Sequence, residues 1–493
     1  SNGHGANVYC ALMMSHYSKP YQHPLFWFLI YLTIHLVIRL SFSQTLQLDD
    51  AEQLRHAQHL ALGYPIPQPP LYSWLSWGMF QIFGTGLFAL TLLKYLLIAL
   101  TFWTLWLSSG YLFQHFQTRH LAILSLLLLP SFGWHMHQGF THTILLGVAI
   151  TTTLHALLRL ELHQQPRDFL YLGVALGVGL MAKYSFLLLM IPLLLAALTI
   201  PAYRRQLLQP QALLVVVALL AVTLPHLLWL SQHSSEVFPA IDQKLQIQSG
   251  NAAVERLYSL GHFVIAALAF VSPWILLVAP LSFRRFSLHR NRKPAAQLLS
   301  RYYLVVCLSV IVLSLFLTMP HFKVRWFHPL MMLFPLWWLM MVERDEPLSK
   351  TVWKWISTAT LVVTLLVVIV RLLQFTIGPD LGHYSRVNRP IMESLQQLPA
   401  IPSDTLLFTQ DAFLGAHLLA HYPNNPISIH GNHYREEPFR QQHSECLIIW
   451  DNDDLFDSTP AEIEPQTIHH INSKIAELTY TLFWATVPIE RCR

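Results

Sequence analysis

The chain has 493 residues, of which 54% are hydrophobic and only 12% are charged, with a mean hydropathy of +0.42. Soluble globular domains carry about 25% charged residues, so a chain that mostly faces water is excluded. The net charge of +5 is read as an imbalance between two membrane faces and calls for no nucleic-acid partner.

In chain order, the opening "SNGHGANVYC" lacks the basic start and small-residue cleavage site of a signal peptide. The first apolar run, 24–40, is therefore expected as a retained helix. Further runs follow at 87–107, 121–130, 144–160, 169–200, 212–230, 257–281, 302–317, 326–342 and 351–373. The run 169–200 is long enough for two short helices broken near Lys183, so about eleven spans are expected at roughly 20 residues per crossing.

Lysine and arginine set the orientation. With a cytoplasmic N-terminus, fifteen lie on inner segments, many of them between Arg284 and Arg301. Nine lie on outer segments before the tail: Arg39, Arg55, Lys94, Lys183, Lys244, Arg256, Lys323, Arg325 and Arg371. The first loop, about 42–85, then faces out, and so does the C-terminus. Residues 1–374 read as a transmembrane domain and 375–493 as a small outer α/β domain. In that tail, short apolar runs at 405–409, 426–429, 446–450 and 480–485 are bounded by Asn, Asp, Gly and Pro and predict strands. "AFLGAHLLAHY" between two of them predicts a helix.

The first outer loop holds the acids, in "LQLDDAEQLRHAQHLALGYPIPQPPLYSWL". A helix from about residue 50 to 62, stopped by Gly63, is expected, then an interfacial helix over 71–83 with Tyr72, Trp74 and Trp77. Asp49 and Glu52, three apart, share a face, while Asp50 points elsewhere. A carboxylate beside a membrane can act as a general base; Asp49 or Asp50 can equally be a helix cap. The second loop, 231–256, is polar.

Four cations, Lys94, Lys183, Lys323 and Arg325, sit in or at apolar runs on the outer half of the membrane. Singly, each reads as a side chain reaching for the headgroups. Together they suit a lipid phosphate. Cys446 and Cys492 share the outer domain, where a disulfide and two separate thiols are both compatible with the sequence. Neither HExxH nor CxxC spacing occurs, so no metal site is expected.

An outward carboxylate with membrane-embedded cations suggests transfer of a group from a phosphate-bearing lipid. "DDA", "GY" and "PPL" of the first loop, with "LLKYLL", "GLMAKYSFLLL", "LPHLLWLSQH" and "HFKVRWFHPLMMLFPLW" in order, resemble glycosyltransferase family 39. These GT-C membrane enzymes include protein O-mannosyltransferases, with aminoarabinose transferases of lipid A in neighbouring families. The likeness covers roughly residues 25 to 345. It implies an inverting, polyprenyl-phosphate-sugar-dependent transferase at the periplasmic face of a bacterial inner membrane, with a lipid, glycan or protein acceptor. It makes Asp49 the base, supported by Asp50 or Glu52, and sets Lys94, Lys183, Lys323 and Arg325 around the donor phosphate. Tyr64, Gln68, His142 and His226 become pocket candidates. Many relatives carry a second Asp where this chain has Thr141, His142 and Thr143, and His142 stands in as a polar contact there. No cofactor is expected and metal independence is predicted, because Lys and Arg already pair with the leaving phosphate. The rivals are a transporter or flippase of a lipid-linked sugar, against which no internal repeat is found, and a sensor whose outer domain binds a ligand.

Overall fold

The structure is a computed structural model, and it describes residues 23–245, 253–288, 293–316, 323–382, 385–429, 432–434, 445–451, 468–475 and 478–492. It is helical, with one sheet near the C-terminus. Among the described residues, six helices are long and apolar enough to cross a membrane: Pro24–Phe42, Leu87–Leu112, Thr141–His163, Pro210–Gln232, Pro294–Val312 and Lys350–Thr376. Two bent pairs, Tyr184–Leu198 with Pro201–Leu207 and Leu257–Val271 with Trp274–Arg285, raise this to eight if each is one span.

The expected runs at 121–130 and 326–342 are instead built from short pieces. The first is divided among Phe116–Leu124, Ser125–Leu128 and Pro130–Gly133, and the second among Val324–Phe327, His328–Met331 and Phe334–Val342. Pro130, Pro329 and Pro335 each lie at the first or second position of a new piece, since proline lacks the N–H that would continue a helix. The run 169–200 does break at Lys183, whose backbone is extended between Pro166–Ala182 and the turn Tyr184–Phe186. The polar loop 231–256 contains a helix, Ser234–Leu245.

Chain contacts divide the described residues into two compact units. One comprises the chain up to Thr33 with Ala61–Tyr72 and Leu96–Val367; the other comprises Ile34–Leu60, Ser73–Tyr95 and the chain from Val368 onward. Within the first unit, helices Pro166–Ala182 and Leu213–Gln232 approach through small residues. A Cβ on Gly173 would lie 2.3 Å from the Val215 carbonyl oxygen, and one on Gly177 would lie 2.8 Å from Val222. Glycines four apart let two helix backbones touch where no hydrophobic effect drives them together.

Within the second unit, a six-stranded sheet has the order β3-β2-β1-β4-β6-β5, with β1 Leu407–Thr409, β2 Ile427–Ile429, β3 Asn432–Tyr434, β4 Glu445–Asp451, β5 His469–Ile475 and β6 Leu478–Pro488. β1 pairs in parallel with β2 and β4, and the other pairings are antiparallel. The helix Ala412–His421 crosses over between the parallel β1 and β2. Strand period two separates the sheet's faces. Leu407, Leu447, Ile449, Tyr480 and Leu482 join one core with Leu414 and Leu418 of that helix. Leu406, Phe408, Ile448, Trp450, Ala485 and Val487 join a second core. Cys446 and Cys492, both in the second core, form a disulfide. β3 and β5 lie outside the strands expected from the sequence. β3 is only three residues long and β5 reads "HHINSKI", with too little apolar alternation to announce itself.

The first-loop helices belong to the first of these two cores. Leu71–Phe83 forms with the expected bounds, directly after Pro69-Pro70, and contributes Phe80. The acidic helix is shorter than expected, Leu48–His56, and contributes Ala51 and Leu54.

Candidate functional site

The acidic helix starts without local help. Its N-cap is Gln47, which makes no side-chain cap bond, so capping by Asp49 or Asp50 is not what the structure shows. Both aspartates lie in the first turn, where the exposed N–H groups favour negative charge. Asp49 and Glu52 are half-buried, while Asp50 points inward and is only 1% exposed.

Asp50 meets Lys94, which enters from the helix Leu87–Leu112 and is 3% exposed. Lys94 Nζ lies 3.2 Å from Asp50 Oδ1 and 3.3 Å from Oδ2. A carboxylate and an ammonium this deeply buried persist only because each is the other's partner. Arg39, at the end of the first span, is also buried and donates to the carbonyl oxygens of Ser43 and Thr45. Arg371, buried in the helix Lys350–Thr376, and Tyr95 share the electrostatic surroundings of Arg39 and Asp50. Three buried cations thus stand against one buried carboxylate. Such an excess creates a positive potential that holds anionic groups nearby. Sequence reading places Arg39 and Arg371 merely among the outer-side charges. The available signal is an arginine inside an apolar run, "HLVIRL" and "VIVRLL".

Two histidines of this unit lie outside the spans and are held neutral. Burial lowers His417 to about 4, against the pull of its bond to Phe413 and aided by Arg39. Burial likewise lowers His56 to about 4, helped by the neighbouring Arg55 and His59.

The other candidates lie in the first unit. Lys183 Nζ donates to Thr143 Oγ1 at 2.7 Å, and His142 Nδ1 lies 3.2 Å from the Ala182 carbonyl oxygen. Lys183 and the start of the helix Thr141–His163 therefore come together, as do the rings of His142 and Tyr72 at 5.5 Å. His226 holds the loop that precedes Tyr64. Its Nδ1 lies 2.9 Å from the Leu62 carbonyl oxygen, and its Nε2 lies 2.9 Å from the Tyr184 hydroxyl. A Cβ on Gly63 would fall 2.1 Å from the Trp229 ring, so only glycine fits there. Tyr64 is buried, with its hydroxyl 3.4 Å from the Ala61 N–H, and Gln68 is half-buried. Lys323 is exposed and Arg325 half-buried at the turn Val324–Phe327. The described residues contain no group of three His, Cys, Asp or Glu side chains that could hold a metal ion.

Multiple apolar helices and a small terminal sheet resemble the GT-C-type fold. Residues 67–229 match the family model described as dolichyl-phosphate-mannose-protein mannosyltransferase. The chain is 27% identical to the lipopolysaccharide core galacturonosyltransferase RgtB of Rhizobium johnstonii over 432 residues, covering 85% of each. It is 26% identical to RgtA of the same organism over 406 residues, covering 81% of this chain and 80% of that one. The crystal structure of ArnT from Cupriavidus metallidurans bound to undecaprenyl phosphate superposes with a TM-score of 0.61 at 13% identity, covering 93% of this chain and 98% of that one. The apo form of the same protein gives 0.57.

Proposed function

We propose that this membrane protein transfers a sugar from a polyprenyl-phosphate donor to a lipopolysaccharide-type glycan, with inversion at the anomeric carbon. The observation that carries the reading is the acidic helix, with Asp50 locked onto Lys94 and Asp49 left half-buried beside it. Asp49, half-buried on the same helix as the lysine-bound Asp50, is assigned as the base, as the family likeness implies. The acceptor hydroxyl oxygen attacks the anomeric carbon, its proton passes to Asp49, and the bond from that carbon to the phosphate oxygen breaks. The polyprenyl phosphate leaves with the electron pair. Lys94, backed by Arg39 and Arg371, favours the growing negative charge on the departing phosphate. Because these side chains supply the compensating charge, the proposed reaction needs no metal or other cofactor. Lys183, Lys323 and Arg325 are proposed as further contacts to phosphate or lipid, and Tyr64, Gln68, His142 and His226 as substrate contacts. Glu52 supports Asp49 from the same helix face.

The names of the two Rhizobium relatives support galacturonic acid as the sugar and lipopolysaccharide core as the acceptor. A uronic acid adds a carboxylate to the donor, and the excess of buried cations suits that. The inner-membrane location, with the outer domain in the periplasm, is supported by the arginine and lysine distribution and by the disulfide of the outer domain.

The test uses the full chain in lipid nanodiscs, with synthetic polyprenyl-phosphate-linked galacturonic acid and deacylated lipopolysaccharide core. Asp49→Asn is expected to abolish turnover while leaving donor binding intact. Undiminished transfer by that variant removes Asp49 as the base, and a variant that translocates donor without transferring it favours the flippase.

A further inference from the structure

The segment entering the acidic helix is secured by residues far away in sequence. Ser43 Oγ donates to the Val387 carbonyl oxygen, and Thr45 Oγ1 donates to that of Arg389. Leu46 N–H donates to His417 Nε2 at 3.0 Å. All six residues belong to one compact unit. The Leu46 side chain is buried in the same core as Leu414 and Leu418 of the histidine's helix.

His417 is fully buried, and its chemistry is unambiguous. Its Nδ1 lies 2.8 Å from the Phe413 carbonyl oxygen, which can only accept, so Nδ1 carries the proton. Nε2 then presents a lone pair to Leu46 N–H. One neutral tautomer satisfies both bonds, and Arg39 opposes a second positive charge there. The acidic helix begins two residues after Leu46, and its N-cap Gln47 offers no side-chain bond of its own. Two contacts from outside the helix hold its first turn: Lys94 pairs with Asp50, and His417 fixes the incoming backbone at Leu46.

We propose that His417 is a positioning residue for the transfer reaction: its Nε2 fixes the Leu46 amide and through it the direction in which Asp49 leaves the helix. The proposal rests on the reading of Asp49 as the base. It makes the terminal domain part of the catalytic apparatus without any of its side chains touching substrate.

The experiment compares His417→Leu and His417→Gln in full-length protein in nanodiscs, with the two substrates above. Leucine keeps the bulk and removes the acceptor, whereas the glutamine Oε1 reaches the place of Nε2. Misplacing a reacting group by about 1 Å costs on the order of 100-fold, so His417→Leu is expected to lose about 10- to 100-fold in kcat with donor KM within about two-fold. Amide exchange in a peptide spanning residues 43–56 should rise at least about ten-fold, while β4 and β6 peptides stay unchanged. His417→Gln should restore both to within about three-fold of the parent. Parent-like kcat and exchange in His417→Leu overturn the proposal. So does a loss shared equally by both variants with faster exchange throughout the sheet, since that is general destabilisation. Asp49→Asn run in parallel separates the two readings. If it stays active, the base assignment fails and the exchange data alone judge the anchor; if it is dead while His417→Leu is fully active, only the anchor fails.

Discussion

Removing one member of the Asp50–Lys94 pair should be far more damaging than removing both. At 3.2 Å the attraction between unit charges is about 5 kcal/mol at an effective dielectric near 20. Most of it is offset by the cost of taking two ions out of water. Lys94→Met leaves the Asp50 carboxylate buried without its ammonium, and breaking a buried pair this way costs about 3–5 kcal/mol. Asp50→Leu leaves Lys94 among Arg39 and Arg371 and should cost a similar amount. The double variant Asp50→Leu/Lys94→Met replaces the pair by apolar side chains and should lie within about 1–2 kcal/mol of the parent, a coupling of several kcal/mol. The assay is reversible unfolding in mixed micelles of increasing denaturing detergent, followed by tryptophan fluorescence. Transfer activity of the double variant should nevertheless be absent, because Lys94 is proposed to serve the phosphate as well as Asp50. Single losses that add to the double loss within about 0.5 kcal/mol would refute the pairing argument.

Breaking the disulfide with Cys446→Ser opens a 46-residue separation and should destabilise the C-terminal sheet domain by about 4 kcal/mol on chain-entropy grounds, read as a lower unfolding midpoint in non-reducing buffer. Gly63→Ala forces a methyl group onto the Trp229 ring and should cost about 1–3 kcal/mol, visible as a reduced midpoint. His417, ordinarily near 6.5 and held near 4, binds fewer protons folded than unfolded between those values. Its contribution to stability is present in full above pH 6.5 and is lost as pH drops toward 4, by up to about 3 kcal/mol, and His417→Gln should remove that share of the slope in pH-resolved melts. Activity should survive excess chelator; loss restored by added Mg²⁺ or Mn²⁺ would contradict metal independence.

Much of this molecule is legible from local pattern. Runs of apolar residues announce spans because a bilayer core demands them, and Pro69-Pro70 marks the start of Leu71–Phe83 because proline cannot continue a helix from before it. The acids of the first loop stand out because charge is rare in this chain, and β4 and β6 are visible as short apolar runs bounded by Asn, Asp, Gly and Pro. Other features are not local. The apolar runs at 121–130 and 326–342 are apolar enough to suggest spans, yet their prolines divide them into short pieces. That Asp50 lies 3.3 Å from the Lys94 ammonium depends on bringing together residues 44 positions apart. That His417 accepts from Leu46 depends on a separation of 371. Composition and periodicity specify which residues must leave water; only the folded chain decides which buried charges and lone pairs become partners, because burial makes that choice costly to get wrong.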